Sequence, residues 1–318
     1  MPLIELAGSR YESHTGETVL TTLLRHGIAV SNSCRAGACQ ACLLRAATGT
    51  PPAAAQEGLN PALVAQGYFL ACQWSPTGDI AIANAAALDV PAILAAKEPL
   101  SPSVLRVTLH IQGEFDARPG QYVTLMRSDG LARPYSIAKI EANGIDLHIR
   151  RIPDGKLSGW LFDEAAVGEP LTVRGPAGHC FYVPGNREQP MLLAGTGTGL
   201  APLYGIVHDA LRHGHQGSIV LYHGAVDEEG LYLCDELHDL AARHDSFRYE
   251  PVVLAEGSPI RTGKIDQVIS ADHPKLTGWR AYLCGDAAIV NAMKKRVFLA
   301  GMASREILSD PFLPAACN

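Results

Sequence analysis

Three cysteines stand within nine residues in Cys34-Arg35-Ala36-Gly37-Ala38-Cys39-Gln40-Ala41-Cys42, in a chain of 318 residues that holds only eight. A fourth, Cys72, follows after 29 intervening residues. The pattern C-x4-C-x2-C…C is the spacing of plant-type [2Fe–2S] ligation. Four thiolates must converge on two irons, so the loop has to wrap closely. Ala36, Gly37, Ala38 and Ala41 are small enough to let backbone amides reach the sulfurs, and Arg35 sets a positive charge beside an anionic group; both effects raise a reduction potential. From the residues alone, two other readings stay open. Cys39-Gln40-Ala41-Cys42 has the form of a thioredoxin-like dithiol, and four thiolates also suit zinc. Cys180, Cys234 and Cys317 lie in other segments and read as small core or tail residues.

Length and composition bound the rest. A chain of 318 residues exceeds one ordinary core and implies two or three domains. With 47% apolar and 18% charged residues it is a globular chain, and a net charge of −6 without basic clusters excludes a nucleic-acid binder. The N-terminus MPLIELAGSRYE lacks the basic and apolar regions of a signal peptide, which points to the cytoplasm. The most apolar run, Ile80 to Ala96, is interrupted by Asn84, Asp89 and Pro91 and is too short for a bilayer span, so no membrane partner is expected.

Three units are expected along the chain. Residues 1–85 hold a hairpin turning at Gly8-Ser9, a helix that ends at Gly27, and the cysteine loop. Residues 86–96 read as an Ala-rich linker. Residues 97–186 carry short strand-like runs with turn signals and one helix, Lys156 to Ala165, which predicts a small barrel. Residues 187–318 alternate apolar strands with helices, the pattern of a doubly wound α/β domain with a parallel sheet.

Further motifs lie in the last two units. Arg133-Pro134-Tyr135-Ser136 is strand-like, and Arg133 can bind a phosphate with two hydrogen bonds. His148-Ile149-Arg150 follows, then Gly155-Lys156-Leu157-Ser158 opening the helix, a start suited to an anion. Gly195-Thr196-Gly197-Thr198-Gly199, with Pro202 just beyond, follows a strand and opens a helix, as a pyrophosphate-binding turn does. Cys284-Gly285-Asp286 ends another apolar strand, at the edge where such sheets bind ligands.

In this order the motifs resemble the ferredoxin–NADP reductase superfamily. With the cysteine loop ahead of them, the whole chain resembles the reductase components of bacterial multicomponent oxygenases. The resemblance implies a β-grasp ferredoxin domain, a six-stranded antiparallel flavin-binding barrel and a nucleotide-binding domain. It implies FAD and a [2Fe–2S] cluster as cofactors, and NADH as hydride donor. It assigns Arg133 to the flavin pyrophosphate, Tyr135 to the isoalloxazine face and Ser136 to flavin N5. It assigns residues 155–158 to the FAD pyrophosphate, residues 195–199 with Pro202 to the dinucleotide, Cys284 to the nicotinamide C4, and Phe312 to the flavin. A nicotinamide gives two electrons and a [2Fe–2S] cluster takes one, so the flavin belongs between them.

The implied acceptor is a protein, an oxygenase component; reductases of similar layout also serve sugar-deoxygenating enzymes, and a carrier with a degenerate flavin domain is the non-enzymatic alternative. Residues 1–85 carry a net charge of −1, too little to steer a free ferredoxin, which suits a tethered one. After the strand SIVLYHGA come Val226-Asp227-Glu228-Glu229, with no cation for a 2′-phosphate. That places Asp227 at the adenosine ribose and favours NADH.

Overall fold

The computed structural model describes residues 1–142 and 144–314; Cys317 and the tail lie outside them. In the first unit, β1 (Leu3–Leu6) and β2 (Ser9–Glu12) pair antiparallel with Leu6 opposite Ser9. The turn is therefore Ala7-Gly8, both left-handed at φ 52° and 82°, and not Gly8-Ser9. Two left-handed residues give the tight connection whose twist matches the strands. α1 (Val19–Arg25) begins where the Thr18 hydroxyl accepts from the Thr21 amide. After the cysteine loop come β3 (Leu43–Ala46), α2 (Pro61–Ala65), β4 (Tyr68–Leu70) and β5 (Ile80–Asn84). The sheet order is β2-β1-β5-β3-β4, with β5 parallel to β1. A hairpin, a helix laid across it and a strand returning parallel in the middle make a β-grasp fold. Val19, Leu20 and Leu23 of α1 bury against Ile4, Phe69 and Leu70.

The second unit is a closed barrel. Its strands are β6 (Asp89–Ser101), β7 (Val104–Ile111), β8 (Tyr122–Met126), β9 (Ala132–Glu141), β10 (Gly144–Arg150) and β11 (Pro170–Ala177). They close in the order β10-β7-β6-β11-β8-β9, each pairing antiparallel. The stretch expected as a linker is mostly strand: residues 86–88 make one 3-10 turn, and Asp89 already begins β6. Ala92 and Leu94 point into the core while Pro91 and Ala95 face out, a strand alternation written largely in alanine and so easily read as linker. α3 (Lys156–Asp163) follows β10 and plugs the barrel with Leu157 and Leu161.

The third unit comprises β12 (Met191–Thr196), α4 (Leu200–Arg212), β13 (Ile219–Ala225), α5 (Cys234–Arg243), β14 (Phe247–Val253), β15 (Arg261–Thr262), α6 (Ile265–Asp272), β16 (Arg280–Asp286), α7 (Ala287–Leu299) and β17 (Ile307–Phe312). All pairings are parallel, in the order β15-β14-β13-β12-β16-β17. Both faces are covered, so successive strand residues enter different cores: Leu193 and Leu221 one, Leu192 and Val220 the other. Strand order reverses between β12 and β16, and such a switch point opens a crevice at the strands' carboxyl ends. α4 lies hard against the barrel, because a Cβ on Gly205 would stand 2.5 Å from the Ala138 carbonyl oxygen on β9.

Candidate active site

The cysteine loop is held in a curled backbone. Arg35, Gly37 and Gln40 are all left-handed, at φ 52°, 80° and 56°. For Arg35 and Gln40 this conformation is costly, and it persists because the surroundings over-determine it. It turns the amides of Ala36 and Cys39 onto Cys34 Sγ, each at 3.4 Å, and the Cys34 amide onto Cys39 Sγ at 3.5 Å. Cys72 sits in the turn after β4, where the Gln73 amide nitrogen reaches its Sγ at 3.4 Å.

The four thiols associate as two pairs, Cys34 with Cys39 and Cys42 with Cys72, and the pairs sense each other's charge. Within the first pair, the hydrogen bond from Cys39 pulls the Cys34 thiol down to about 5, with the loop amides adding. Within the second, Cys42 does the same for Cys72, which lies at about 6. Cys39 and Cys42 are correspondingly pushed up by the hydrogen bonds they donate and by burial. Among the described residues no three His, Cys, Asp or Glu side chains gather as ligands of a single ion. Two thiol pairs fed by loop amides suit a cluster in which each of two irons takes two thiolates.

The loop is docked on the outside of the barrel. Tyr122 Oη donates to the Ala38 carbonyl at 2.8 Å, Thr124 Oγ1 to the Cys39 carbonyl at 3.3 Å, and Arg174 Nη1 to the Ala41 carbonyl at 3.3 Å. Arg174 is itself fixed by Asp89 through bonds of 2.7 and 3.1 Å. Cys39 and Ala41 bury against Met126 and Ala132 beside these bonds.

One large cleft, about 1780 Å³, runs from this contact into the third unit. Ala38 and Cys39 line one end. Arg133, Pro134, Tyr135 and Ser136 line the middle, with His148, Arg150 and residues 155–158. Thr196, Gly197, Thr198, Asp286 and Phe312 line the far wall. Arg133 Nη1 donates to the Ala132 carbonyl at 2.7 Å, which steadies the guanidinium at the cleft wall. The N-terminus of α3 has no side-chain cap, and neither has the 3-10 turn Gly197–Gly199 that runs straight into α4, so amides at both starts are left for an anion. The Ser158 hydroxyl is already engaged, accepting from the Ile152 amide at 3.2 Å. His148 is buried with Nδ1 on Tyr232 Oη at 3.2 Å, while its Nε2 has no partner among the described residues. Burial pushes its imidazole down to about 3, so the ring is neutral.

Ser136 Oγ donates to Asp310 Oδ2 at 3.1 Å. Burial pushes the Asp310 carboxyl up to about 6, against the opposing effect of that hydrogen bond.

Several sequence candidates stand elsewhere. Ile149 points into the barrel core. Cys284 is fully buried and does not line the cleft; its Sγ lies 3.6 Å from Cys180 Sγ. Gly195, Gly199, Gly285 and Pro202 form the packing behind the cleft wall; a Cβ on Gly199 would fall 2.5 Å from the Cys284 carbonyl oxygen. Asp227 is not among the cleft-lining residues; its carboxylate caps its own turn, accepting from the Gly230 amide at 3.0 Å.

Three stretches match known domain families: residues 4–77 the 2Fe-2S iron-sulfur cluster binding domain, 91–182 the oxidoreductase FAD-binding domain, and 192–295 the oxidoreductase NAD-binding domain. The chain is 34% identical, over 94% of its own length and 94% of the relative's, to the ferredoxin–NAD(P)(+) reductase component of the naphthalene 1,2-dioxygenase system of Pseudomonas putida. It belongs to the ferredoxin–NAD(P)(+) reductase components of oxygenase systems.

This reductase is also 33% identical, over 98% of its length and 99% of the relative's, to the reductase subunit of an aromatic O-demethylase of Amycolatopsis. Its backbone follows the crystal structure of an Amycolatopsis cytochrome P-450 reductase with a TM-score of 0.72, at 32% identity, covering 99% and 100% of the two chains. The reductase also carries residues that sequence reading passed over: Asp310, and the docking trio Tyr122, Thr124 and Arg174. Asp310 stands two residues before Phe312, but it meets Ser136 only in the folded chain, where β17 pairs with β16.

Proposed function

We propose that this chain takes hydride from a reduced nicotinamide dinucleotide and delivers single electrons, from a cluster held by Cys34, Cys39, Cys42 and Cys72, to an oxygenase partner. When bound, FAD supplies the conversion of a two-electron donor into one-electron transfers. The observation that supports this most is that a single cleft is lined at once by Cys39, by Arg133 to Ser136 and by Thr196 to Thr198.

In this reading Arg133 and the uncapped start of α3 hold the FAD diphosphate, and Tyr135 packs on the flavin ring. Ser136, oriented by Asp310, offers its hydroxyl to the flavin, and His148 offers a neutral Nε2. Gly197, Thr198 and the start of α4 receive the dinucleotide phosphates, and Phe312 screens the flavin. Cys284 acts from behind the wall, through the backbone that supports Gly199. The functional units are residues 1–85, 89–186 and 187 onward. No helix among the described residues is long and apolar enough to cross a membrane. We assign the chain to the cytoplasm, where cluster thiols stay reduced.

Cofactor content and two acceptors test this. One FAD with two irons per chain, and NADH-driven reduction of both ferricyanide and cytochrome c, is the expected result. A chain that holds iron but takes up no FAD would be an electron carrier and not a reductase.

A further inference from the structure

The cleft also reaches between the first unit and the barrel. There it is lined by Ala29, Val30 and Ser31 on one side and by Gly130, Leu131 and Ile152 on the other. Two sets of contacts fix these walls. Ser31 Oγ donates to the Gly130 carbonyl at 3.4 Å and stands 3.7 Å from Met126 Sδ. Arg127, in the same β8–β9 hairpin, bonds Asp129 at 3.0 and 2.6 Å and lies over the Trp160 ring of α3 at 5.2 Å. The hairpin thus touches both the first unit and the helix whose start is left for an anion.

The order of residues along β9 bears on what this space receives. The flavin ring is assigned to Tyr135 and Ser136, and the diphosphate to Arg133 and the start of α3. A molecule laid along that line has its remaining part beyond Arg133, at Leu131 and the hairpin. For FAD that part is adenosine; FMN ends at its one phosphate and has nothing to place there. The walls suit a planar base with apolar faces. Val30 and Leu131 are half-buried, and Ile152 is 45% exposed. Asp129 is already held by Arg127 and the Leu131 amide at 3.2 Å, while Asp154, exposed ahead of α3, offers a carboxylate to ribose hydroxyls.

A ligand in this space would touch two units at once. The apolar cluster at their contact holds four buried side chains, Cys39, Ala41, Met126 and Ala132, beside the three hydrogen bonds to loop carbonyls. Binding to both walls favours the docked arrangement, and the docked arrangement in turn tightens the ligand.

We propose that residues 29–31 of the first unit complete the adenosine site of FAD, so that FAD, and not FMN, clamps the ferredoxin unit onto the barrel. The proposal rests on the flavin site assigned above, and the choice of flavin separates the two. FAD and FMN are titrated by flavin fluorescence into the flavin-free full chain. The wild type binds FAD at least about tenfold more tightly than FMN. Ala29 is exposed, so Ala29→Trp fills the space from the first unit; Ile152→Glu puts a charge into it from the barrel. Each weakens FAD about tenfold and changes FMN by less than about twofold. In hydrogen exchange of the full chain, FAD slows the amides of residues 29–33 and FMN does not. Equal affinity for the two flavins, equal loss of both in both variants, or exchange at residues 29–33 that FAD leaves unchanged overturns the proposal. A wild type that binds neither flavin overturns the flavin site itself.

Discussion

The Ser136 hydroxyl and the Asp310 carboxylate meet at 3.1 Å, joining barrel strand β9 to the last strand of the nucleotide-binding sheet. The contact ties the barrel to the third unit at the cleft, so the carboxyl that orients Ser136 belongs to a different unit from Ser136. Ser136→Ala is expected to slow flavin reduction while FAD stays bound. Unchanged stopped-flow traces would remove Ser136 from the mechanism.

The Asp310 carboxyl also has a pH signature. Burial raises it from 3.8 to about 6. Between those values the folded chain holds a proton that the unfolded chain has lost, so the group's contribution to stability is full below 3.8 and declines as pH rises through 6. Asp310→Asn removes the decline. The variant's unfolding temperature should therefore gain on the wild type as pH rises from 4 to about 7. A variant that loses ground over that range would show that the ionised carboxylate is the stabilised form.

The docked loop predicts a separation between two acceptors. Tyr122→Phe deletes the bond to the Ala38 carbonyl, a contact worth about 0.5–1.5 kcal/mol. Reduction of cytochrome c should fall several-fold more than reduction of ferricyanide, with FAD and iron content retained. Equal losses would place Tyr122 in flavin binding instead. Arg174→Ala leaves the part-buried Asp89 carboxylate without its partner and should lower chemical stability by about 1–3 kcal/mol, read from the denaturation midpoint.

Cysteine substitutions divide along the same line. Cys39→Ser should abolish the visible cluster absorption and cytochrome c reduction. Cys180→Ser should leave the cluster spectrum in place, because Cys180 contacts Cys284 and none of the four loop and turn thiols. A cluster lost in both variants would mean that the packing of the barrel unit on the third unit is needed to fold the first.

Gly199→Ala tests the packing behind the nucleotide turn. Its methyl would fall 2.5 Å from the Cys284 carbonyl, a backbone atom with little room to yield. Overpacking of this kind costs about 1–3 kcal/mol, and NADH affinity should fall with it. Gly159→Ala in α3, with nothing within 4 Å, should instead stabilise by up to about 1 kcal/mol, measured in the same denaturation experiment.

The features legible in the sequence were those with a local mechanism. Cysteine spacing is imposed by a compact cluster, and the Gly-rich turn and uncapped helix starts are written in consecutive residues. What escaped depends on pairing at a distance. Asp310 is one acid in Ser309-Asp310-Pro311 until the register opposite Cys284 sets it beside Ser136. Tyr122 and Thr124 are ordinary strand residues until the loop docks on β8.

The central claim is that electrons pass from nicotinamide to cluster inside this one chain. Anaerobic titration with NADH, followed by visible spectroscopy and low-temperature EPR, tests it most directly. The account predicts bleaching of the flavin absorption together with a rhombic one-electron signal from the reduced cluster. Flavin bleaching with an EPR-silent cluster would contradict it, and would mean that the docked loop is not the exit for electrons.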